Sequence, residues 1–118
     1  MYCKTTVKVV HDGAGDPLSG ARVSLYDRDW LTSDDLLGTG ITDASGEACF
    51  SYAAEAWMDL DDHIGGSAPE LYVVVHGVDG EPIVNTRAQA VSNRHRRQIT
   101  VAVPEGLVRE AGQIAPTV

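Results

Sequence analysis

From residue 2 to residue 103 the apolar residues fall in short runs, several alternating with polar ones, and Gly, Pro, Asp and Asn break the runs. That is the rhythm of successive β-strands. The first run, Tyr2 to Val10, stops at "HDGAGDPLSG", a stretch of turn formers. The second, "ARVSLYD", sets Ala21, Val23 and Leu25 against Arg22, Ser24 and Tyr26, the period-two pattern of a half-buried strand. The third, "LGTGITD", leads into "DASG", where Gly46 supplies the positive φ that closes a hairpin. "EACFSYA" follows as a fourth strand. "ELYVVVHG" is the most apolar run and reads as a central strand buried on both faces. "IVNTRAQ" reads as a sixth strand and "RRQITVAV" as a seventh. Between the fourth and fifth strands, Ala53 to His63 carries helix-favouring Ala, Glu, Met and Leu and ends before Gly65 and Gly66, so one or two helical turns are expected there.

Seven to eight short strands without a strong helix predict an all-β, two-layer Greek-key β-sandwich; a small open barrel is the alternative. The sandwich spans residues 1–104, and residues 105–118 read as a C-terminal extension, either a short amphipathic segment or disordered. Because antiparallel strands reverse direction, alternate connections gather at opposite ends. One end collects "HDGAGDPLSG", "DASG" and "VDGEP". The other collects "DRDWLTSDD", the long 53–69 connection and "AVSNRH".

The chain has 118 residues, room for one domain with a modest core. Its net charge is −8, with nine Lys and Arg against 17 Asp and Glu, which argues against nucleic-acid binding because phosphate neutralisation needs clustered cations. Arg87, Arg94, Arg96 and Arg97 lie close in sequence and read as solvated strand ends that balance the acidic loops, or as an anion or partner contact. No apolar run approaches the roughly 20 residues of a membrane-spanning helix. The start "MYCKTTVKVV" lacks the features of a secretory signal, which leaves the compartment open. Cys3 and Cys49 are too far apart in sequence for a zinc-type pair, and they form a disulfide only where their strands are neighbours.

The second end changes the picture most. It brings Asp27, Asp29, Asp34 and Asp35 together with Asp59, Asp61, Asp62 and His63. Neighbouring carboxylates repel, so water, arginines or a cation must offset them. Arg28 and the Arg94, Arg96, Arg97 group are the candidate neutralisers. Calcium accepts six to eight oxygen ligands at about 2.3 to 2.6 Å in irregular loops, so a carboxylate-only set favours it, with Asp27, Asp29 and Asp35 as the leading ligands. The competing reading is a loop held by its own hydrogen bonds, with Asp27 at the strand end and Ser33 or Asp34 capping a turn before "LLG". Trp30 is expected to fold over this end, against Trp57 and Met58, or to stand exposed as a contact residue.

Two family resemblances arise at these residues. Asp27, Asp29 and Asp35 in a D-x-D-x5-D spacing, followed by Gly38, resemble the third calcium loop of synaptotagmin-type calcium and phospholipid-binding domains, and "HDGAGDP" resembles their first. That likeness implies calcium binding and calcium-dependent membrane contact. In that family the two loops converge on one end, however, whereas here they flank one strand and lie at opposite ends. The second resemblance covers most of the chain: the "GDPLSGARVSLYDRDWLTSDDLLGTGITDASGEACF" series, "PELYVVVHG" and "RRQITVAVP" resemble transthyretin-like proteins. It implies a prealbumin-like sandwich and an extracytoplasmic setting. One enzymatic branch, the 5-hydroxyisourate hydrolases, needs a first-strand His, a last-strand His and a terminal Tyr-Arg-Gly-Ser. Here the first-strand position falls near Lys8, "QITVAVP" holds no His, and the chain closes "APTV". The resemblance therefore implies a noncatalytic member.

Among the four histidines, His63 and His95 share an end with the carboxylates, but no nucleophile elbow or oxyanion-forming turn accompanies them, and His76 reads as a strand-end hydrogen bonder. The leading expectation is a noncatalytic binding or interaction module with a calcium-stabilised loop end and a protein partner. The alternatives are a structural subunit that assembles through sheet edges, and a small hydrolase that uses the acidic end.

Overall fold

The computed structural model describes residues 5–13, 15–29, 31–52, 70–92 and 97–108. The expected helix at Ala53–His63 lies outside these residues. So do Asp59, Asp61, Asp62, Trp30, Trp57, Met58, Arg94, His95, Arg96 and Cys3.

Among the described residues eight strands form: β1 (Thr5–His11), β2 (Arg22–Asp27), β3 (Asp35–Ile41), β4 (Glu47–Phe50), β5 (Glu70–His76), β6 (Pro82–Asn85), β7 (Val91–Ser92) and β8 (Arg97–Val103). They build two sheets, one ordered β4-β1-β8 and the other β3-β2-β5-β6, with β7 also on β5. The Greek-key sandwich expected from the strand rhythm is the observed architecture. β1 pairs with β8 in parallel over seven residues, while the other ladders are antiparallel. No helix among the described residues is long and apolar enough to cross a membrane.

The core follows the period of two. Val7 and Val9 of β1, Val23 and Leu25 of β2, Leu71, Val73 and Val75 of β5, and Val101 and Val103 of β8 face one another between the sheets. β5 is buried from Leu71 to Val75, as its apolar run requires of a central strand. β3 contributes glycines instead of bulk. Gly38 and Gly40 pair with Leu25 and Val23, and the Phe50 ring of β4 lies against both glycines. A single aromatic thus fills what two inward side chains would have filled.

One detail differs from the pattern reading. The sixth strand stops at Asn85, because the Thr86 hydroxyl accepts from the Val73 amide at 2.8 Å and donates to its carbonyl at 3.1 Å. The chain then turns through a 3-10 segment, Arg87–Gln89, instead of continuing extended. Beyond β8, Leu107 and Val108 pack half-buried against the core.

The loops divide between two ends as the parity of antiparallel strands requires. At the first end the Val9 amide donates to the Gly46 carbonyl, and the buried Thr42 hydroxyl donates to the Leu18 carbonyl at 2.6 Å and accepts from the Ala21 amide. Cys49 on the outer side of β4 is disulfide-bonded.

Candidate functional site

The acidic end is a polar lattice that ties three segments of the chain together. Asp29 organises the loop: its carboxylate accepts from the Leu31 and Thr32 amides and from the Thr32 hydroxyl at 2.7 Å. Those donors hold its pKa below the usual carboxylate value, the Leu31 amide contributing most. Asp34 closes the loop from its far side by accepting from the Asp29 amide at 2.9 Å. The turn-capping role expected of Ser33 or Asp34 is therefore shared by Asp29 and Asp34.

Asp34 also reaches across the end. Arg87 donates to it from Nε at 2.7 Å and from Nη2 at 3.2 Å, and the Tyr72 hydroxyl donates to Oδ2. The Arg87 guanidinium, ahead of the Asp29 amide and Tyr72, holds the Asp34 carboxyl well below the ordinary range. Burial, and then the neighbouring carboxylate, push the Tyr72 hydroxyl up to about 12. Arg87 is raised in turn by Asp34. A second ion pair runs alongside: Arg28 donates to Glu70 at 2.8 Å and to the Arg87 carbonyl at 2.9 Å. Asp27 is buried and accepts from the Glu70 amide. Tyr26 stacks on Tyr72, with ring centroids 5.2 Å apart, and packs the outer face beside this lattice.

The sequence placed the right loop at the right end but chose its neutralisers incompletely. Arg28 is engaged as expected, though with Glu70. Arg87, grouped by proximity with Arg94, Arg96 and Arg97, is the cation that meets Asp34. The pattern reading carries it inside the sixth strand, and only the end of β6 at Asn85 brings it to the acidic end. Tyr72 and Glu70 carried no signal, because both look like ordinary positions of an apolar strand.

Asp27, Asp29, Asp34 and Asp35, the described members of the expected calcium set, do not form a metal-holding group among the described residues. Among the described residues no group of three or more His, Cys, Asp or Glu could hold a metal ion. Asp27, Asp29 and Asp34 accept hydrogen bonds from protein donors, and Asp35 stands exposed at the start of β3. Calcium at this end is tested by the melting temperature with calcium and with chelator. A rise reversed by chelator and removed by Asp29→Asn or Asp35→Asn would support a calcium site, and no rise would count against one.

Two further places carry chemistry. On the outer face of the larger sheet, Ser24 Oγ lies 3.0 Å from His76 Nε2, and His76 Nδ1 donates to the Gly80 carbonyl at 3.1 Å. This resembles a nucleophile, base and orienter in sequence. Ser24, however, is 4% exposed in the middle of β2, whose backbone is paired to β3 on one side and β5 on the other. No local amide remains to stabilise an oxyanion there, so the pair bridges β2 to the end of β5.

The other place, among the described residues, is where β8 faces the β6–β7 edge of the larger sheet. A cleft of about 390 Å³ separates β8 from the β6–β7 edge. Leu71, Val84, Val91 and Ile99 give it apolar walls; Thr86 and Gln89 add polar groups, and Arg97 is its one charged lining residue among those described. Function reasoning from sequence passed over this cleft, because it is built from edges of two sheets whose proximity no local pattern reveals.

No family model and no curated protein matches the chain. Solved structures do. A 9R-lipoxygenase from Cyanothece PCC8801 is 24% identical with a TM-score of 0.53 over 86% of this chain and 16% of that one. (S)-allantoin synthase is 12% identical with a TM-score of 0.52 over 89% of this chain and 43% of its own. A transthyretin from Sparus aurata is 19% identical with a TM-score of 0.43 over 63% of this chain and 56% of that one. The chain thus spans less than two thirds of each, and the first two share its fold alone.

Proposed function

We propose that the chain is a noncatalytic interaction module whose contact surface is the cleft between β8 and the β6–β7 edge. The observation that carries this reading is the cleft beside β8, where apolar walls lie next to a strand edge and no acidic residue is present among the described lining residues, in a chain of net charge −8. Such a surface fits an extended segment of another polypeptide, which adds backbone hydrogen bonds at the edge and drops alternate side chains into the cleft. The acidic end serves a different purpose in this reading. Asp29 and Asp34 are committed to Arg87, Tyr72 and the loop backbone, so they hold the sandwich closed opposite the turn end.

The reading is tested by two-dimensional amide NMR with a panel of extended peptides that alternate apolar and polar residues. Shifts are expected at Gln98, Thr100, Ala102 and Val91. Shifts confined to residues 28–34 and Arg87 would relocate the surface and sink the proposal. Fluorophosphonate probes are expected to leave Ser24 unlabelled; stoichiometric labelling that Ser24→Ala and His76→Ala both abolish would instead revive a hydrolase.

A further inference from the structure

β4 is fastened by more than its ladder. It runs four residues, Glu47–Phe50, antiparallel to β1, with Thr6 opposite Cys49 and Thr5 opposite Phe50. So short a pairing is weak by itself. Other contacts converge on the same residues. Phe50 is buried, and its ring lies against Gly38 and Gly40 of the larger sheet. The hydroxyls of fully buried Thr5 and of Tyr52, just past β4, are hydrogen-bonded at 2.9 Å. Cys49 is disulfide-bonded, and the full chain contains two cysteines, so its partner is Cys3, shortly before β1 in sequence.

We infer that this bond is a redox-controlled clasp: dithiols open it, and its state sets how firmly β4 and the Phe50 ring close the sandwich. Cys49 is exposed on the outer side of β4, while Ala48 and Phe50 on either side of it face the core. A thiolate therefore reaches its sulfur without unfolding the strand, and access of this kind separates labile disulfides from inert ones. Reduction runs by exchange. A thiolate of the dithiol attacks Cys49 Sγ; a new S–S bond forms, the bond to Cys3 breaks, and Cys3 leaves as a thiolate that takes a proton from water. The second thiolate of the dithiol then attacks the reagent's own sulfur in the mixed disulfide and releases Cys49, which is protonated in turn. The dithiol ends as a cyclic disulfide, and the protein has gained two electrons and two protons.

The effect of opening follows from where the bond lies. It joins residues about 46 positions apart in sequence, so it restricts the unfolded chain strongly. In the folded chain it fastens β4 at the residue next to Phe50, the ring that packs β4 onto β3 of the other sheet. With the bond cut, that end of β4 rests on a short ladder, the Phe50 contact and the Thr5–Tyr52 hydroxyl pair among the described residues. A short strand with few remaining ties opens locally before the sheet as a whole does. β2 and β5 are paired along the length of β2 in the middle of the larger sheet, and their ladder does not depend on the bond.

Three measurements on the full chain in native buffer, with and without dithiothreitol, read the proposal. Intact mass after iodoacetamide is expected to show no alkylated cysteine before reduction and two after it. The melting temperature is expected to fall by about 10 °C on reduction and to recover with oxidised glutathione. Amide exchange is expected to quicken more at Ala48–Phe50 than at Val73 and Val75, which report opening of the whole sandwich. Cys3→Ser and Cys49→Ser are each expected to match the reduced protein and to ignore dithiothreitol; should neither fold, the reduced and alkylated wild type supplies the same comparison. Free thiols before reduction, or a cysteine-linked dimer, overturn the pairing. Resistance to dithiothreitol without denaturant, or an unmoved melting temperature, overturns the control by redox state. A uniform quickening of exchange throughout the chain overturns the clasp, because the bond then acts on the unfolded chain alone.

Discussion

Replacing Gly46 with alanine is expected to cost about 3 kcal/mol of folding stability, combining a left-handed backbone penalty with an unrelieved clash. Gly46 sits at φ +76°, where an L side chain is strained before any contact is considered. A Cβ there would lie 2.8 Å from the Val9 carbonyl oxygen and 3.1 Å from the Leu18 amide nitrogen. These two atoms are hydrogen-bonded to each other at 2.9 Å, and the Gly46 carbonyl itself accepts from the Val9 amide. The methyl group would therefore press on backbone atoms that are pinned by their own bonds. Gly80 is the control: its φ is +89°, but nothing lies within 4 Å of its Cβ position. Gly80→Ala should cost only the conformational part, about 1 kcal/mol. Urea unfolding of both variants checks the difference, and equal losses would show that the close approach at Gly46 is absent.

The second large effect is expected at Asp34. Asp34→Ala removes the acceptor for Arg87, Tyr72 and the Asp29 amide at once, and the half-buried donors left behind make a loss of about 2 to 3 kcal/mol the expected result at neutral pH. Its pH dependence has a definite sign. The folded pKa of Asp34 is depressed, so its contribution is complete above the unfolded value of about 3.9 and disappears as pH falls below it. Tyr72 behaves in the opposite direction. Its folded pKa is raised from 10.0 to about 12, so its contribution is complete below pH 10 and is lost as pH rises toward 12. Asp34→Asn should flatten the acid limb of the stability curve, and Tyr72→Phe the alkaline one. If neither limb moves, the bridge does not hold this end together.

The strands were readable because burial in a sandwich imposes a period of two. Val23 and Leu25 against Ser24 and Tyr26 state the register of β2 outright, and the continuous run Leu71–Val75 marks a strand with neighbours on both sides. The end of β6 was not readable. Thr86 has the β-branched shape of a strand residue, and only the Val73 backbone opposite it turns its hydroxyl into a strand terminator. The acidic loop was located because reversal of direction is a topological rule that needs no partner identities. Its chemistry depended on Arg87 and Tyr72, which meet Asp34 from far along the chain, and composition alone could not choose between a cation and an arginine as its neutraliser. The β8 edge lay furthest from the reach of pattern. Nothing in "RQITVAV" tells which of its two sides a neighbour occupies.

The parallel ladder between β1 and β8 has a consequence for how the chain comes together. In the larger sheet the pairs β2–β3 and β5–β6 join neighbours in sequence, and β2 with β3 can zip as soon as both exist. The smaller sheet joins the first described strand to the last, so a ribosome must deliver the roughly 90 residues between them before β1 finds that neighbour. Until then β1 waits with β4 alone and half its backbone groups unmet. The slow event in folding is thus expected to be the arrival of β8, and a nascent chain halted before residue 97 should remain open to proteases and to wrong pairings.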